Sequence, residues 1–423
     1  MLLIVSLLVI FFIIGTPIYI ALSLPSFISI LSCGYDGMVT VQRFFGGIDR
    51  FSLMAIPFFI FAANVMGRGG MSKRIIALAE VFLGRLYGGT AIATVVACLL
   101  FGALSGSSPA TVVAIGGIAY PMLLNNGYSK KFSTGTVAAA SSLAIIIPPS
   151  ITMIVYASTA GCSVGDLFIA GIVPGLVTGL IFAAYCYYHA RKNDICSHIR
   201  YTWAEKIKAL KECSWALGVP IIILGGIYGG IFTPTESSTV ATIYAIFVAM
   251  FIYKEMGIKE LIETCYRSAL TTAQVMILVS AAGTLSWVLT VNQVQEIFSE
   301  LISGLMTYPW IVLLIINMIL IFAGMIMDAV PFTLLLTPLF LPIFQELGYS
   351  PIHLGMLITV SGALGMYSPP FGLNIFVGMG TFKEPFSMIA RAVLPFIILG
   401  VISMLLVTFV PELSLFLPRL MKM

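Results

Sequence analysis

Residues 89–124 read GTAIATVVACLLFGALSGSSPATVVAIGGIAYPMLL and contain no charged side chain. An apolar segment of this length exceeds the roughly 20 residues that a helix needs to span a bilayer. Near its middle it is interrupted by Ser105-Gly106-Ser107-Ser108. Irregular backbone at membrane depth is tolerated only where it lines a protein cavity. The segment therefore predicts a re-entrant helical hairpin whose tip lies at residues 105–108.

The rest of the chain has the composition of a polytopic membrane protein. Its 423 residues are 60% hydrophobic and 9% charged, whereas a soluble domain carries roughly 25% charged residues. The segment Met1–Ile14 has no positively charged region before its apolar run, so we expect a retained span and not a secretory signal. Whether Met1–Leu31 forms one tilted span or two short ones stays open. We predict an all-α polytopic fold.

An internal repeat locates a second hairpin. When the sequence is shifted so that Pro148-Pro149 falls on Pro369-Pro370, Gly127-Tyr128-Ser129 falls on Gly348-Tyr349-Ser350 without a gap. In the same register the apolar run Pro309–Phe344 corresponds to the first hairpin. We therefore predict a second re-entrant hairpin there, interrupted near residues 324–328.

Each predicted hairpin is followed by a span with a proline pair inside it. These spans are Phe132–Ala160 and His353–Thr381. Proline removes a backbone donor and clashes with the preceding turn, so each span should be unwound near mid-depth. Each half of the chain thus predicts one hairpin and one broken helix.

The two halves are predicted to have opposite orientations in the membrane. An odd number of crossings separates the hairpins: Phe132–Ala160, Leu167–Tyr188, Ser214–Phe232, Ser237–Tyr253 and Ala269–Thr290. Basic residues flank the first hairpin, but no Lys or Arg occurs between Arg267 and Lys383. The positive-inside rule then places the open end of the first hairpin at the cytoplasm and that of the second outside. Four basic residues do not follow this pattern: Arg43, Arg50, Arg419 and Lys422.

These features divide the chain into five segments. They are N-terminal spans with an interfacial helix (1–88), a first transport repeat (89–160), scaffold spans with a second interfacial helix (161–308), a second transport repeat (309–381) and a C-terminal span (382–423). The two interfacial helices are expected at Met71–Leu86 and Val294–Leu305, where charged and apolar residues alternate with helical spacing.

Inverted repeats with broken helices at the midplane are typical of secondary transporters. A break exposes amide donors where its second helix begins, and these favour an anion such as a carboxylate. It also exposes carbonyl oxygens where its first helix ends, which suit a hard cation such as sodium. We therefore expect an anion site flanked by cation sites.

Several polar side chains are candidates for this site. Hydroxyls at the breaks come from Ser105, Ser107, Ser108 and Ser150, although small residues can also serve close helix packing. Asp328 is the only acid inside the second hairpin, and an intramembrane carboxylate is a functional candidate. Asp328 could instead cap the helix that follows it. Glu236 is interpreted as a helix cap.

In this light the chain resembles the large membrane subunit of the tripartite ATP-independent periplasmic (TRAP) transporters over essentially its whole length. The resemblance rests on motifs that occur in the same order: Ala55-Ile56-Pro57-Phe58-Phe59, Gly69-Gly70-Met71-Ser72-Lys73-Arg74, Ser105-Gly106-Ser107-Ser108, Pro148-Pro149-Ser150, Phe232-Thr233-Pro234-Thr235-Glu236, Gly324–Asp328 and Ser368-Pro369-Pro370-Phe371-Gly372. It implies an elevator-type transporter in the bacterial inner membrane.

The resemblance also implies a substrate class and partners. The substrates would be carboxylates such as C4-dicarboxylates, sialic acids and sugar or keto acids, driven by about two or more sodium ions without an organic cofactor. The partners would be a small four-helix membrane subunit, expected as a separate chain, and a periplasmic substrate-binding protein. No nucleic acid partner is expected.

Matched position by position, the resemblance assigns site residues. The substrate would contact Ser105, Ser107, Ser108, Ser150, Asp328 and Ser368. One sodium site would use Ser105, Ser108, Ile146 and Pro148, and another would use Gly324, Asp328, Gly365, Ser368 and Phe371. The usual Gly-Glu after the first motif is Ala63-Asn64 here, and the usual Thr before the second proline pair is Ser368.

Three other functions compete with this interpretation. A sodium–carboxylate symporter of another family would work without a binding protein. A membrane-embedded enzyme is disfavoured because His189, His198 and His353 form no HExxH or His/Asp motif. A channel would not require paired broken helices.

Overall fold

The computed structural model describes residues 6–8, 10–11, 14–196, 201–294, 304 and 306–421. Within these ranges every regular element is a helix, apart from an isolated β-bridge between Tyr87 and Cys196. Seven helices of this part are long and apolar enough to cross a membrane, or up to nine if each of two bent pairs is counted as one span. Large apolar side chains such as Leu180 and Ile221 are exposed on them, as a lipid-facing surface requires. The predicted all-α polytopic fold is confirmed.

The helices between residue 18 and the first hairpin are α1 (Ile18–Ser32), α2 (Met38–Ile48), α3 (Ala55–Arg68) and α4 (Met71–Leu83). A 3₁₀ turn at Phe51–Met54 leads into α3. Helix α4 lies within the segment predicted as the first interfacial helix, and its apolar side packs against the start of the first hairpin. Most of its predicted counterpart, Val294–Leu305, lies outside the described residues.

In the first half of the repeat the helices are interrupted at the two predicted positions, near residues 105–108 and at the proline pair. These helices are α5 (Gly89–Ser105), α6 (Ser108–Ala114), α7 (Gly116–Asn125), α8 (Lys130–Ala140) and α9 (Ile151–Ala160). The α6–α7 pair is bent by 49°. A 3₁₀ turn at Ser141–Ile145 ends the first part of the broken span, because the proline pair that follows cannot continue a helix.

Between the two halves, the described ranges 164–196 and 201–294 contain the helices α10 (Val164–Lys192), α11 (Trp203–Tyr228), α12 (Pro234–Phe247) and α13 (Ile258–Val291). A π-helical turn at Val248–Ile252 extends α12. Thr233 and Glu236 form a capping box at the start of α12, so Glu236 is the helix cap that the sequence indicated.

The second half has the same order of elements: α14 (Pro309–Ile326), α15 (Ala329–Glu346), α16 (Pro351–Met366) and α17 (Leu373–Phe382). Helices α18 (Phe386–Ala392), α19 (Leu394–Phe409) and α20 (Glu412–Leu420) complete the described chain.

Helix boundaries recur at the spacing of the sequence repeat. Under the shift that places Pro148 on Pro369, the end of α5 at Ser105 falls on Ile326, where α14 ends. The start of α6 falls on the start of α15 under the same shift. The opposite membrane orientation of the two halves, and the five-segment division, stay predictions.

Candidate functional site

The first break depends on a glycine in a conformation that other residues avoid. Helix α5 ends because Gly106 has a φ of +56°, which L-residues with a side chain rarely adopt. A Cβ on Gly106 would also overlap the carbonyl oxygen of Pro149. The hairpin tip therefore lies directly against the proline pair of the first broken span.

Hydroxyl groups at this tip form a small buried cluster. The Ser105 and Thr111 hydroxyl oxygens are 3.2 Å apart, and Thr111 donates a 2.9 Å hydrogen bond to the carbonyl of Ser107. Ser105 and Ser108 are buried, whereas Ser107 is half-buried. Thr111 was not predicted as a site residue, although its place one turn after Ser107 could have indicated it.

The first broken span has its break beside this cluster. Ile146, Pro148 and Ser150 are all buried. Ser150 is the N-cap of α9, where its hydroxyl accepts a 3.5 Å hydrogen bond from the Met153 amide. Carbonyls at the end of a helix lack the amide partners that the helix interior provides, so the 146–149 backbone offers oxygen atoms at a buried position.

In the second hairpin, α14 and α15 are separated by Met327 and Asp328. Asp328 is half-buried and caps α15, since its Oδ1 accepts a 2.8 Å hydrogen bond from the Ala329 amide. The capping role considered for Asp328 is therefore present. This bond engages one carboxylate oxygen.

The second hairpin packs tightly on the second broken span. A Cβ on Gly365 would overlap the carbonyl oxygen of Gly324. The amide of Phe371 donates a 3.2 Å hydrogen bond to the carbonyl of Met325, and Ser368 donates a 2.6 Å bond to the carbonyl of Leu364, in the last turn of α16. The backbone of this second predicted sodium group is thus brought together, while the phenyl ring of Phe371 is exposed.

A side chain that the sequence analysis missed connects the two groups. Asn374, in α17, is fully buried. Its Oδ1 accepts a 2.8 Å hydrogen bond from the Ser108 hydroxyl, and its Nδ2 donates a 2.8 Å bond to the carbonyl of Ala138. The signal for Asn374 was its amide at the start of a mostly apolar helix, where a buried polar group must find a partner.

The main departure from the TRAP motifs lies outside both breaks. Asn64, in α3, donates a 2.9 Å hydrogen bond to the Ser268 hydroxyl in α13. Asn64 therefore joins two helices of the non-hairpin part of the molecule, and neither residue contacts the tips through this bond.

The described groups combine buried amide donors, hydroxyls and carbonyl oxygens at two breaks joined by Asn374. Helices α9 and α17 each begin at a break, so the partial positive charge of their N-termini is directed toward it. Such an arrangement can bind an anion and desolvated cations without a basic side chain.

Comparison with known proteins identifies the family. A family model described as "Tripartite ATP-independent periplasmic transporter, DctM component" matches residues 4–413. The C4-dicarboxylate TRAP transporter large permease protein DctM of Vibrio cholerae is 40% identical, over 97% of this chain and 95% of that protein. The isethionate TRAP transporter permease protein DctMQ of Oleidesulfovibrio alaskensis is 39% identical, over 96% of this chain.

The chain spans 64% of the length of that DctMQ protein. The fold is similar to the crystal structure of the Alcanivorax borkumensis YdaH transporter, with a TM-score of 0.63, 14% identity, and coverage of 90% of this chain and 87% of that one. The relatives are transporter permeases, which confirms that the chain is not an enzyme. The chain belongs to the DctM component family of the tripartite ATP-independent periplasmic transporters, as a large permease.

Proposed function

We propose that this permease carries out sodium-coupled uptake of small organic anions by an elevator movement. The observation that carries the proposal is the bond from Ser108 to Asn374, which joins the tip of one hairpin to the broken span of the other half. This bond holds the two breaks close to each other at a buried position, where a ligand and its coupling ions would bind together.

The substrate would bind at the hydroxyls and helix starts of the breaks. Ser105, Ser107, Ser108 and Ser150 supply hydroxyls around the first break, and Asp328 and Ser368 lie at the second hairpin and broken span. A carboxylate only accepts hydrogen bonds, and the Ser150 hydroxyl, which accepts from the Met153 amide, can donate its own proton to one. Two relatives are named for C4-dicarboxylates and for isethionate, and both are small organic anions.

Sodium ions would be held by backbone and hydroxyl oxygens. One group comprises Ser105, Ser108, Ile146 and Pro148, and the other comprises Gly324, Asp328, Gly365, Ser368 and Phe371. Oxygen donors are the ligands that hard cations prefer. The positive charge of bound sodium would offset the charge of the organic anion within the membrane.

Close backbone packing supports a movement of the hairpins and broken spans as a unit. A Cβ on Gly102 would lie 2.6 Å from the Ala144 Cα, which shows how closely the first hairpin packs on the first broken span. Gly324 and Gly365 pack in the same manner in the second half. Helices α3, α11, α12 and α13 would form the static scaffold.

In this proposal the permease works with a small four-helix membrane subunit and a periplasmic substrate-binding protein in the bacterial inner membrane. Family membership supports both partners. A sodium–carboxylate symporter that needs no binding protein is the alternative function.

Proteoliposomes test the proposal. The permease and its small subunit would be reconstituted, and uptake of labelled C4-dicarboxylate, isethionate and sialic acid measured with and without an inward sodium gradient and the candidate binding protein. Uptake that requires the sodium gradient and also the binding protein supports the proposal. Uptake that requires sodium but not the binding protein indicates the single-component symporter. Uptake unaffected by sodium excludes both of these sodium-coupled functions.

A further inference from the structure

A cavity lies between α2 and α13 on one side and α9 and α15 on the other. Its volume is about 490 Å³, within the roughly 300–1,000 Å³ typical of small-molecule sites. Its polar lining includes Gln42, Ser286 and Thr290. None of these residues belongs to the predicted substrate or sodium groups.

Two arginines that break the charge pattern of the sequence line this cavity. Arg43 and Arg50 both precede α3. Helix α3 is part of a spanning segment that ends at Arg68, close to the basic residues that the positive-inside rule assigns to the cytoplasm. In the predicted orientation Arg43 and Arg50 therefore lie toward the opposite, outer face, where the positive-inside rule does not account for them.

Neither guanidinium is neutralised within the described part of the chain. No carboxylate there lies within 4.0 Å of Arg43 or Arg50. Arg43 instead lies 5.2 Å above the ring of Trp287, a contact that positions the guanidinium but leaves its charge. Arginine presents a planar set of donors that matches the geometry of a carboxylate.

Close helix packing positions Arg43. A Cβ on Gly47 would lie 3.3 Å from the Cα of Gly283, so α2 and α13 meet backbone to backbone. Arg43 is one turn before Gly47, and Trp287 is one turn after Gly283. This part of the cavity wall therefore consists of packed helices, and Arg50 lines the cavity from the short segment that follows α2.

The opposite wall leads to the breaks. Ser158 and Thr159 line the cavity from the last turn of α9. Helix α9 begins after Ser150, and eight helical residues correspond to roughly 12 Å. Leu334 lines the cavity from α15, which begins after Asp328. Both helices thus run from the predicted substrate region to the cavity.

We propose that this cavity is an outer anion-binding vestibule, in which Arg43 and Arg50 hold the acidic group of a small organic anion before it reaches the breaks. The role in delivery rests on the proposed function, but anion binding itself does not require transport. A cavity of about 490 Å³ can hold a small organic anion, whereas an acidic protein surface would contact the arginines from outside.

Charge-selective labelling tests the vestibule without any gradient or binding protein. Ser286→Cys would be made in a variant in which the two exposed cysteines, Cys33 and Cys265, are serine. Its reaction rates with an anionic and a cationic methanethiosulfonate reagent would be compared. Gln345→Cys, exposed and predicted on the same face, is the matched control.

The expected result is a preference for the anionic reagent of about tenfold at position 286, absent at position 345 and lost in Arg43→Gln/Arg50→Gln. Isethionate or succinate should slow labelling at position 286 alone. The proposal is overturned if the anionic reagent is preferred equally at positions 286 and 345, or if its preference at position 286 survives loss of both arginines. It is also overturned if only an acidic binding protein, and neither small anion, slows labelling at position 286. Sodium-driven uptake can succeed or fail independently of these rates.

Discussion

The hydroxyl of Ser108 donates a 2.8 Å hydrogen bond to the side-chain oxygen of Asn374, a residue 266 positions later in the chain. Asn374 in turn donates to the carbonyl of Ala138. A single buried amide therefore contacts both the first hairpin and the first broken span, while it belongs to the second broken span. Any shift of one half relative to the other must break these bonds.

Replacement of Asn374 should expose this coupling. Asn374→Leu leaves the Ser108 hydroxyl and the Ala138 carbonyl without this partner, and each buried unpaired group costs about 1–3 kcal/mol. Thermal unfolding of the purified protein should show a lower midpoint. Because Ser108→Ala removes one of the unpaired groups, the double variant should lose less than the sum of the single variants. Additive losses would argue against a coupled pair.

The serines at the first break should affect uptake more than folding. Ser105→Ala or Ser150→Ala removes a hydroxyl from the proposed substrate path, and loss of a hydrogen bond to a charged group corresponds to about a tenfold effect on affinity. Apparent KM for uptake would be measured beside the amount of folded protein. Ser163→Ala is the matched control, since Ser163 also caps a helix but lies outside the breaks. Unchanged kinetics in both site variants would contradict the assignment.

A side chain at Gly365 should separate the second hairpin from its broken span. Because Gly365→Ala places a methyl group against the Gly324 backbone, which cannot rotate away, a loss of about 1–3 kcal/mol in stability is expected, together with lost uptake. Gly117→Ala is the control, since nothing lies within 4 Å of a Cβ at that helical position. If Gly365→Ala and Gly117→Ala have the same stability and uptake, the close contact at Gly365 is required for neither.

The predicted inversion can be tested at the open ends of the hairpins. Asn125 and Gln345 lie at the ends of α7 and α15, and both side chains are exposed. Asn125→Cys should react with a membrane-impermeant thiol reagent from the cytoplasmic side, and Gln345→Cys from the outer side. Reaction of both from one side would refute opposite orientations.

The buried carboxyl group of Glu80 should make stability depend on pH. Glu80 lies in α4, outside the spanning helices, and its Oε1 accepts a 2.9 Å hydrogen bond from Thr90. Burial raises its pKa, so the folded state binds a proton more readily than the unfolded state, and stability falls as pH rises through the usual range of a carboxyl group.

Glu80→Gln should therefore raise the unfolding temperature at pH 8, with an advantage that shrinks toward pH 5. Thr90→Val should instead lower the unfolding temperature at pH 8, because it leaves the ionised carboxylate of Glu80 without its hydrogen-bond donor. Differential scanning fluorimetry in detergent measures both. An advantage of Glu80→Gln that does not change with pH would show that ionisation of Glu80 is not its cause.

The breaks and their boundaries could be predicted from the sequence because their causes are local. Pro148-Pro149 and the glycine and serines at 105–108 act on the backbone within one turn, and the absence of charge defines the apolar segments. Helices α5 and α15 accordingly begin or end within a few residues of the predicted positions. The motif order was sufficient to indicate the family.

Only the tertiary structure decided which distant residues contact these breaks. No local pattern shows that Asn374 reaches Ser108, or that Arg43 lies over Trp287 beside a cavity. Both relationships depend on how helices distant in sequence pack, through contacts such as Gly47 on Gly283 that a sequence pattern does not specify. Local propensity determines where a helix begins and ends, but burial and complementary shape determine which helices meet.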